Sequence, residues 1–371
     1  MELYDVIVVG AGPAGCAAAR LLTKGGLSVL VLEQGTFPRS KPCAGWVSPW
    51  AFDLIGVSPE EYGKGRVLVP FSSLVVWDGT DVPHRVSFGS TAGYGIIRSE
   101  FDSFVSSRIG GGRIRQGVRV TAVEKRGDEI VVNGAYRGRV VVGAGGHRCP
   151  IARKIGEIRP DERFVAAVVS ETRISRDSLA ELSPFPDCPQ IVFNDDFSGY
   201  GWYFPKGEYL NIGVGTTSGS MLKSHREAFM GRLMKRKMLP DPRRHPLDPF
   251  VGHAYKLMRV TPRRLVSDGF LLVGDAAGVA YNMSGEGIGP AIFSGAIAAE
   301  TIIEARGDYS EGTLSRYVGR LYDRLGSPYR RWFLSLIGPV LASAGPLLGR
   351  VITGSAIARR EMVAKRWFFR D

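Results

Sequence analysis

The chain has 371 residues, of which 44% are hydrophobic and 23% charged, a composition that argues against a disordered chain or a polytopic membrane protein. Because this length exceeds what one compact core usually fills, we expect two lobes or one large α/β domain with an insertion. The formal net charge of +12 points to an anionic partner, which could be nucleic acid, an acidic protein or an anionic membrane surface.

The chain opens with a predicted strand, turn, helix and strand. Residues 4–9 are apolar enough for a buried strand, GAGPAG follows, and residues 14–23 form an Ala/Leu-rich helical segment that two glycines end. A second buried strand over residues 28–32 ends at Glu33. The pattern predicts a βαβ unit with its glycines at the first turn.

The glycines and the acid of this unit predict a dinucleotide site. Gly10 would make the tight turn, Gly12 would let the backbone touch a pyrophosphate, and Gly15 would permit close packing of helix on strand. Glu33 would accept hydrogen bonds from ribose hydroxyls and would repel a 2′-phosphate. The unit therefore favours FAD or NAD over NADP, and the alternative is a glycine turn with no ligand.

Short apolar or alternating runs separated by turn residues occupy the middle of the chain. They predict an antiparallel sheet inserted into the nucleotide-binding domain. The runs lie at residues 74–77, 85–88, 165–170, 190–193 and 209–215.

A second loop-rich segment completes the predicted nucleotide site. In FLLVGDAAG, Asp275 ends a buried strand and could bind a ribityl or ribose hydroxyl. In the following SGEGIG, Gly285, Gly287 and the amide of Ile288 form a loop-to-helix turn. Backbone N–H groups and the helix dipole at this turn can face the pyrimidine end of a flavin.

The predicted fold class is α/β, with a Rossmann-like FAD-binding domain, an inserted antiparallel-sheet substrate domain and a helical C-terminal segment. The predicted FAD-binding domain is discontinuous and comprises residues 1–65, 96–163 and 255–320. Residues 66–95 and 164–254 form the predicted substrate domain. Residues 321–371 form the predicted C-terminal segment at a membrane surface.

The end of the chain concentrates positive charge and aromatic residues. From Arg324 onward there are nine Lys or Arg against two acidic residues, and Trp332 to Gly349 carries no charge. A spanning helix needs about 20 apolar residues, and two Gly-Pro pairs would break this one in hydrocarbon. We predict short broken helices at an interface or over an apolar pocket. Basic and aromatic residues together favour an anionic lipid surface over nucleic acid.

Cysteine and histidine patterns predict no disulfide framework and no metal site. The four cysteines form no CxxC pair, and the five histidines lack metal-ligand spacing. The chain enters a strand almost at once, so no signal peptide is expected. We therefore predict a cytoplasmic protein that associates peripherally with the membrane.

Several motifs together resemble one family. They are GAGPAG with Glu33, FPRSKPCAGWVSP at 37–49, IIRSEFD at 96–102, YGWYFPK at 200–206 and GDAAG…SGEGIG at 274–289. This combination resembles the geranylgeranyl reductase family, which belongs to the flavoproteins shaped like p-hydroxybenzoate hydroxylase. The resemblance covers the chain to about residue 320.

The resemblance implies FAD as cofactor and saturation of prenyl double bonds in an isoprenoid lipid or its diphosphate. It implies that Arg98 lies near the FAD phosphates or ribityl chain and that Cys43 and Ala44 lie beside the flavin. Tyr200, Trp202 and Phe204 would lie across the ring in the substrate cavity, although such a stripe can also be sheet core. The predicted FAD-binding set also includes Ala14 and Val120.

The sequence leaves alternatives open for the catalytic residues, the electron donor and the class of reaction. Cys43 and Tyr281 are the candidate proton donors, but Cys43 could also be a redox-sensitive thiol or a packing residue. Electrons could come from NAD(P)H or from ferredoxin, and the basic surface would suit an acidic carrier. The alternative functions are a flavin-dependent monooxygenase or halogenase, or a flavin-binding, membrane-associated protein without turnover.

Overall fold

A computed structural model describes residues 2–110, 113–157, 162, 164–258, 263–326 and 352–368 of the protein. The first of its sheets has eight strands: β1 (Leu3–Val9), β2 (Val29–Glu33), β8 (Arg113–Gln116), β9 (Val123–Arg126), β10 (Glu129–Val132), β11 (Tyr136–Gly143), β17 (Val266–Ser267) and β18 (Phe270–Leu272). The strand order is β17-β18-β11-β1-β2-β8, and β10 and β9 continue antiparallel from the start of β11. The strands from β18 to β8 run parallel.

The centre of this sheet is β1, which is covered on both faces. Val6, Ile7 and Val8 are fully buried, as a strand inside a parallel sheet requires. Ile7 lies in register with Leu30 on one side and Val141 on the other. Because parallel strands expose their carboxyl ends at one edge, the turns after β1, β2, β11 and β18 meet there.

A second sheet has seven strands: β5 (Ser73–Trp77), β6 (Pro83–Ser87), β12 (Phe164–Arg173), β13 (Gln190–Phe193), β14 (Gly199–Lys206), β15 (Tyr209–Thr216) and β16 (Val251–Lys256). Their order is β16-β12-β15-β14-β13-β5-β6. The pairs are antiparallel except that β5 runs parallel to β13. These two strands are far apart in sequence, so no hairpin dictates an antiparallel pairing.

The remaining elements are a small sheet and helices. The small sheet consists of β3 (Trp46–Val47), β7 (Gly93–Ile96) and β4 (Leu68–Phe71) in that order. The helices are α1 (Pro13–Lys24), α2 (Pro49–Ile55), α3 (Pro59–Gly63), α4 (Arg98–Ser107), α5 (Pro150–Lys154), α6 (Arg176–Leu182), α7 (Leu222–Lys235), α8 (Ile288–Glu304), α9 (Glu311–Leu314) and α10 (Arg316–Leu325). Short 3-10 turns cover Gly146–Arg148, Gly219–Met221 and Gly274–Ala276. The predicted α/β fold class is confirmed.

The described part of the C-terminal segment is helical and packs on the second sheet. A short helix over Ala356–Ala358 continues as a π-helix over Arg359–Phe368. Val363 is fully buried, and the Trp367 ring lies 5.9 Å from that of Phe193, edge to face. The predicted interfacial window from Trp332 to Gly349 lies outside the described residues. Among the described residues, no helix is both long and apolar enough to cross a membrane.

Helices α1 and α8 pack backbone against backbone. A Cβ at Gly295 would lie 2.1 Å from the carbonyl oxygen of Ala14, a separation that real Cβ atoms do not show. Small residues are frequent among the buried positions of both helices, and Ala18 and Ala298 are fully buried. The close approach of these two helices therefore depends on small side chains.

We predict that Gly295→Ala lowers the free energy of unfolding by about 1 to 3 kcal/mol, because the added methyl group overpacks the contact with Ala14. The measurement is denaturant unfolding followed by circular dichroism. The matched control is Gly231→Ala in α7, where a Cβ meets nothing within 4 Å. The control should leave stability unchanged or raise it by up to about 1 kcal/mol, as alanine does inside a helix. Equal effects of the two changes would contradict the prediction.

Candidate functional site

A cavity of about 1240 Å³ runs between the two large sheets. One end is formed by the turns after β1 and β2, and the other by side chains of β12, β13 and β14. Its walls contain nearly all of the residues predicted to bind FAD or substrate: Gly10, Gly12, Ala14, Glu33, Cys43, Ala44, Arg98, Val120, Tyr200, Trp202, Phe204, Asp275, Gly285, Gly287 and Ile288. The cavity thus joins the glycine turn and the aromatic strand in one space.

The glycine turn brings bare backbone to the cavity wall. Gly10 has a φ of +105°, and a Cβ there would lie 2.5 Å from the Ala144 carbonyl oxygen. Gly12 forms the N-cap of α1, and a Cβ on it would meet no atom closer than 3.9 Å. The backbone at the start of α1 is therefore open to the cavity. Such an N-terminus suits a pyrophosphate.

Gly15, in contrast, does not line the cavity. A Cβ at Gly15 would lie 1.9 Å from the Gly10 carbonyl oxygen. Its role in the structure is to let α1 press against the end of β1, which agrees with the predicted packing role of the third glycine. Gly15 therefore packs against the turn on the side away from the cavity and does not line the cavity.

Glu33 is fixed at the end of β2 by backbone donors. It is 4% exposed, and its two carboxylate oxygens accept from the amide of Ala11 at 2.7 Å and from that of Gly35 at 2.9 Å. Arg39 lies 3.4 Å from one of these oxygens. The carboxylate therefore borders the cavity beside the glycine turn, where it can also accept from a ribose.

Arg98 belongs to a buried charge cluster at the start of α4. It binds Asp102 through two hydrogen bonds of 3.0 and 3.1 Å, and Arg39 also contacts Asp102 at 3.1 Å. Burial alone would lower the pKa of Arg98, but the Asp102 carboxylate and Cys43 raise it above its usual value. Because Arg39 also lies near Glu33, the two arginines are matched by two carboxylates, and Arg39, Arg98 and Glu33 all line the cavity.

Asp275 follows β18 and pairs across the cavity with Lys41 at 3.1 Å. Burial would raise the pKa of Asp275, but the Lys41 ammonium lowers it below its usual value. The nearby His253 has its pKa lowered to about 4, first by burial and then by Lys41. At neutral pH this end of the cavity therefore contains an ionised Asp275 and a neutral His253.

The loop before α8 presents a second set of backbone groups. Gly285 has a φ of +65°, and Gly287 forms the N-cap of the 17-residue helix α8. Tyr200 donates a hydrogen bond to the carbonyl oxygen of Ser284 in this loop. The amide of Ile288 begins the helix at the cavity wall, where the helix dipole favours an electron-rich ligand edge.

Cys43 differs from the other cysteines in its exposure. It is half-buried in the cavity wall, whereas Cys16, Cys149 and Cys188 are at most 2% exposed. Burial raises the pKa of Cys16 and of Cys149. Cys43 is thus the cysteine with access to a bound ligand.

The aromatic strand β14 divides its side chains between site and core. Tyr200, Trp202 and Phe204 line the cavity, whereas Tyr203 lies on the opposite face and is fully buried. The Trp202 indole donates to Asn211 at 2.7 Å, which fixes the ring plane. Alternate residues of a strand face opposite ways, so one set of these aromatic side chains lines the cavity and the other packs in the core.

Tyr281, the second candidate acid, packs in the core and is 6% exposed, and the cavity lining of the described residues does not include it.

Sequence analysis did not single out five further residues that line the cavity, namely Arg39, Lys41, Trp46, His253 and Tyr255. The two cations precede Cys43 in the motif FPRSKPC, which was a usable signal. The others lie in short strands without a distinctive pattern.

Comparison with known proteins identifies relatives of the chain. Residues 5–73 match the family model described as FAD dependent oxidoreductase. Over 85% of its length, the chain is 31% identical to digeranylgeranylglycerophospholipid reductase 1 of Methanopyrus kandleri and covers 85% of that protein. It is also 31% identical to menaquinone reductase of Mycobacterium tuberculosis, with 96% of this chain and 90% of the relative covered.

Solved structures share the fold. A geranylgeranyl bacteriochlorophyll reductase-like protein from Thermoplasma acidophilum superposes with a TM-score of 0.80 at 22% identity, covering 96% of this chain and 95% of that one. A halogenase in complex with FAD superposes with a TM-score of 0.69 at 15% identity, covering 86% of this chain and 74% of the other. At these identities the likeness shows the fold alone.

We predict that Glu33→Ala weakens FAD binding by about 1 to 3 kcal/mol, because it removes an acceptor for the ribose and frees the turn amides of Ala11 and Gly35. The measurement is a fluorescence titration of apoprotein with FAD. The control is Glu124→Ala, an exposed carboxylate on β9 that pairs with Arg126. Unchanged affinity in Glu33→Ala, or equal losses in both variants, would count against the assignment.

Proposed function

Because this chain belongs to the geranylgeranyl reductase family of FAD-dependent oxidoreductases, we propose that it reduces carbon–carbon double bonds in the prenyl chain of an isoprenoid lipid. The observation that carries the proposal is the single cavity that joins the glycine turn to an apolar wall. The relatives are named for a glycerophospholipid and for menaquinone. A prenyl group common to both kinds of lipid is therefore the substrate feature that we propose.

The substrate would lie at the end of the cavity formed by the second sheet. Apolar and aromatic side chains dominate there, among them Ala44, Trp46, Ala167, Val169, Ile191, Trp202 and Phe204. The same cavity offers little there that could bind a highly polar molecule, whereas its other end is rich in charge. An isoprenoid chain suits this wall because burial of apolar surface drives its binding.

FAD suits the opposite end. Gly10, Gly12 and the start of α1 would hold the pyrophosphate, Glu33 the ribose, and Asp275 with the loop before α8 the ribityl chain and ring. When bound and reduced, FAD supplies the hydride for the alkene. The contribution of the chain is to orient the prenyl group and to exclude water. Cys43 is the cavity-lining candidate for supplying the proton to the other alkene carbon.

We further propose that electrons reach the cofactor from a nicotinamide cofactor or from an acidic carrier such as ferredoxin. Arg119, Arg148, Arg153 and Lys154 are exposed at the border of the cavity and form no ion pair among the described residues. Positive side chains at this edge would steer an acidic partner or a phosphate-bearing donor.

The rival reaction is oxygen-dependent hydroxylation or halogenation on the same fold. Halogenases carry the signature WxWxIP, and this chain has Tyr200-Gly201-Trp202-Tyr203-Phe204-Pro205 at the corresponding strand. Tyr200, which stands where the signature has its first tryptophan, donates a hydrogen bond to the Ser284 carbonyl oxygen in the loop before α8. This substitution favours the reductase. A flavin-binding protein without turnover is disfavoured because the named relatives are reductases.

We predict that the protein, reduced without oxygen, reoxidises its flavin when a geranylgeranylated lipid is added, with product mass rising by 2 Da per double bond. Flavin absorbance and lipid mass spectrometry follow the reaction. NADPH, NADH and reduced ferredoxin are compared as reductants before the lipid is added. Trp202→Phe should slow alkene turnover more than it weakens FAD binding. A gain of 16 Da, or halogenation that requires air, would overturn the reductase assignment.

We also propose that the chain works at an anionic membrane surface through its C-terminal segment. In the described part, Ile357 is 77% exposed, and Arg360 and Lys365 are exposed close by. Ring contacts run from Trp367 through Phe193 to Tyr200 at the cavity wall. Exposed apolar and basic side chains together suit an anionic lipid surface.

We predict that binding to phosphatidylglycerol-containing vesicles falls as salt rises, and that Arg360→Glu with Lys365→Glu weakens it at least about tenfold, since each basic residue contributes about 1 kcal/mol. Sedimentation with vesicles measures it. The control variant, Lys24→Glu with Arg115→Glu, makes the same change of charge at two exposed residues far from the C-terminal segment in sequence, one in α1 and one in β8. Equal loss in both variants would show a general charge effect and refute the localised surface.

A further inference from the structure

A lysine is fully buried behind the loop that carries Cys43. Lys206 is the last residue of β14 and has 0% exposure. Its ammonium donates to the carbonyl oxygens of Ala44 at 3.1 Å and Ile96 at 2.9 Å, and it pairs with the carboxylate of Glu171. The three N–H donors of the lysine therefore have three acceptors.

A buried asparagine completes this arrangement. Asn211 on β15 has 0% exposure and donates to the Cys43 carbonyl oxygen at 3.0 Å and to Glu171 at 2.9 Å. Its amide oxygen accepts from the indole of Trp202 at 2.7 Å. One side chain thus joins the backbone of the Cys43 loop to a ring of the apolar wall.

Two glycines make room for the lysine. A Cβ at Gly45, which has a φ of +73°, would lie 2.7 Å from the Lys206 nitrogen. A Cβ at Gly95 would lie 2.9 Å from Lys206 Cγ. The backbone on both sides of the aminoalkyl chain therefore lies too close to it for a side chain at Gly45 or Gly95.

We propose that Lys206 and Asn211, both bonded to Glu171, are positioning residues that fix the loop 43–45 relative to the apolar wall. Burying an ammonium costs free energy that a well-packed apolar residue would not cost. Here the ammonium donates to one carbonyl of the loop, that of Ala44, and to the carbonyl at the end of β7, that of Ile96. With the carbonyls of Cys43 and Ala44 turned toward these donors, the Cys43 side chain lines the cavity. What the loop then does to FAD and substrate rests on the proposed function.

The test measures the order of the loop through Cys43 itself. The purified protein, with and without added FAD, is treated with iodoacetamide, and alkylation of the Cys43 peptide is followed by mass spectrometry. Cys16, Cys149 and Cys188 are buried and serve as internal references. Lys206→Met should raise the Cys43 rate about tenfold, because the loop opens more often without its donors.

A double variant separates positioning from stability. Lys206→Met alone leaves the Glu171 carboxylate without its cation, so its melting temperature should fall. Adding Glu171→Gln removes that charge and should recover much of the loss. If the lysine positions the loop, Cys43 stays about tenfold more reactive in the double variant even though stability returns. If reactivity returns with stability to the parental rate, the residue is structural only and the proposal is overturned.

Two further variants complete the design. Tyr203 lies on the same strand as Lys206 and is equally buried, and its hydroxyl has no hydrogen-bond partner among the described residues. Tyr203→Phe should therefore leave the alkylation rate of Cys43 at its parental value. If the Lys206 variants fail to fold, Glu171→Gln alone decides, because Glu171 is partly exposed. A rise of about threefold then supports the proposal, and the parental rate overturns it. None of these readouts requires alkene reduction, so failure of the proposed function would leave this result interpretable.

Discussion

The turn that joins β1 to α1 lies so close to the residue after β11 that neither Gly10 nor Gly15 has room for a Cβ. A Cβ at Gly15 would collide with the Gly10 carbonyl, and one at Gly10 would collide with that of Ala144. Gly10, Gly12, Pro13 and Ala14 border the cavity at this turn, and α1 contacts α8 where a Cβ at Gly295 would meet the Ala14 carbonyl oxygen. The position of Asp275 and of the loop before α8 follows, because β18 pairs with the same β11.

The cavity has one charged end and one apolar end, and these two ends suit its two proposed ligands. At the nucleotide end, cations and carboxylates contact one another in a cluster in which Arg39 and Arg98 are matched by Glu33 and Asp102. Removal of one member would leave an uncompensated buried charge, so these groups stabilise the site only together. The apolar end has no comparable cluster in its lining among the described residues. A reaction between a charged dinucleotide and a hydrocarbon chain needs both environments in contact.

The second sheet contributes to the site through strand alternation. On β14, Trp202 and Phe204 face the cavity while Tyr203 fills the core. The same strand then ends in Lys206, whose ammonium contacts the loop 43–45 from behind. The wall of the cavity and the support of the loop therefore come from alternate residues of one strand. A change of register in this strand would alter both at once.

The sequence alone was sufficient to predict the βαβ unit, the glycine turn with Glu33, the position of Asp275 after its strand, and the aromatic strand. These features depend on local spacing, because strand and helix periods fix which residues share a turn or a face. The tertiary structure decided which side chains meet. It placed Tyr281 in the core, made β5 parallel to β13, and brought Lys206 and Asn211 behind a loop more than 160 residues earlier in the chain. Burial and hydrogen-bond partners across such separations depend on how sheets pack, and no periodicity in one segment records that packing.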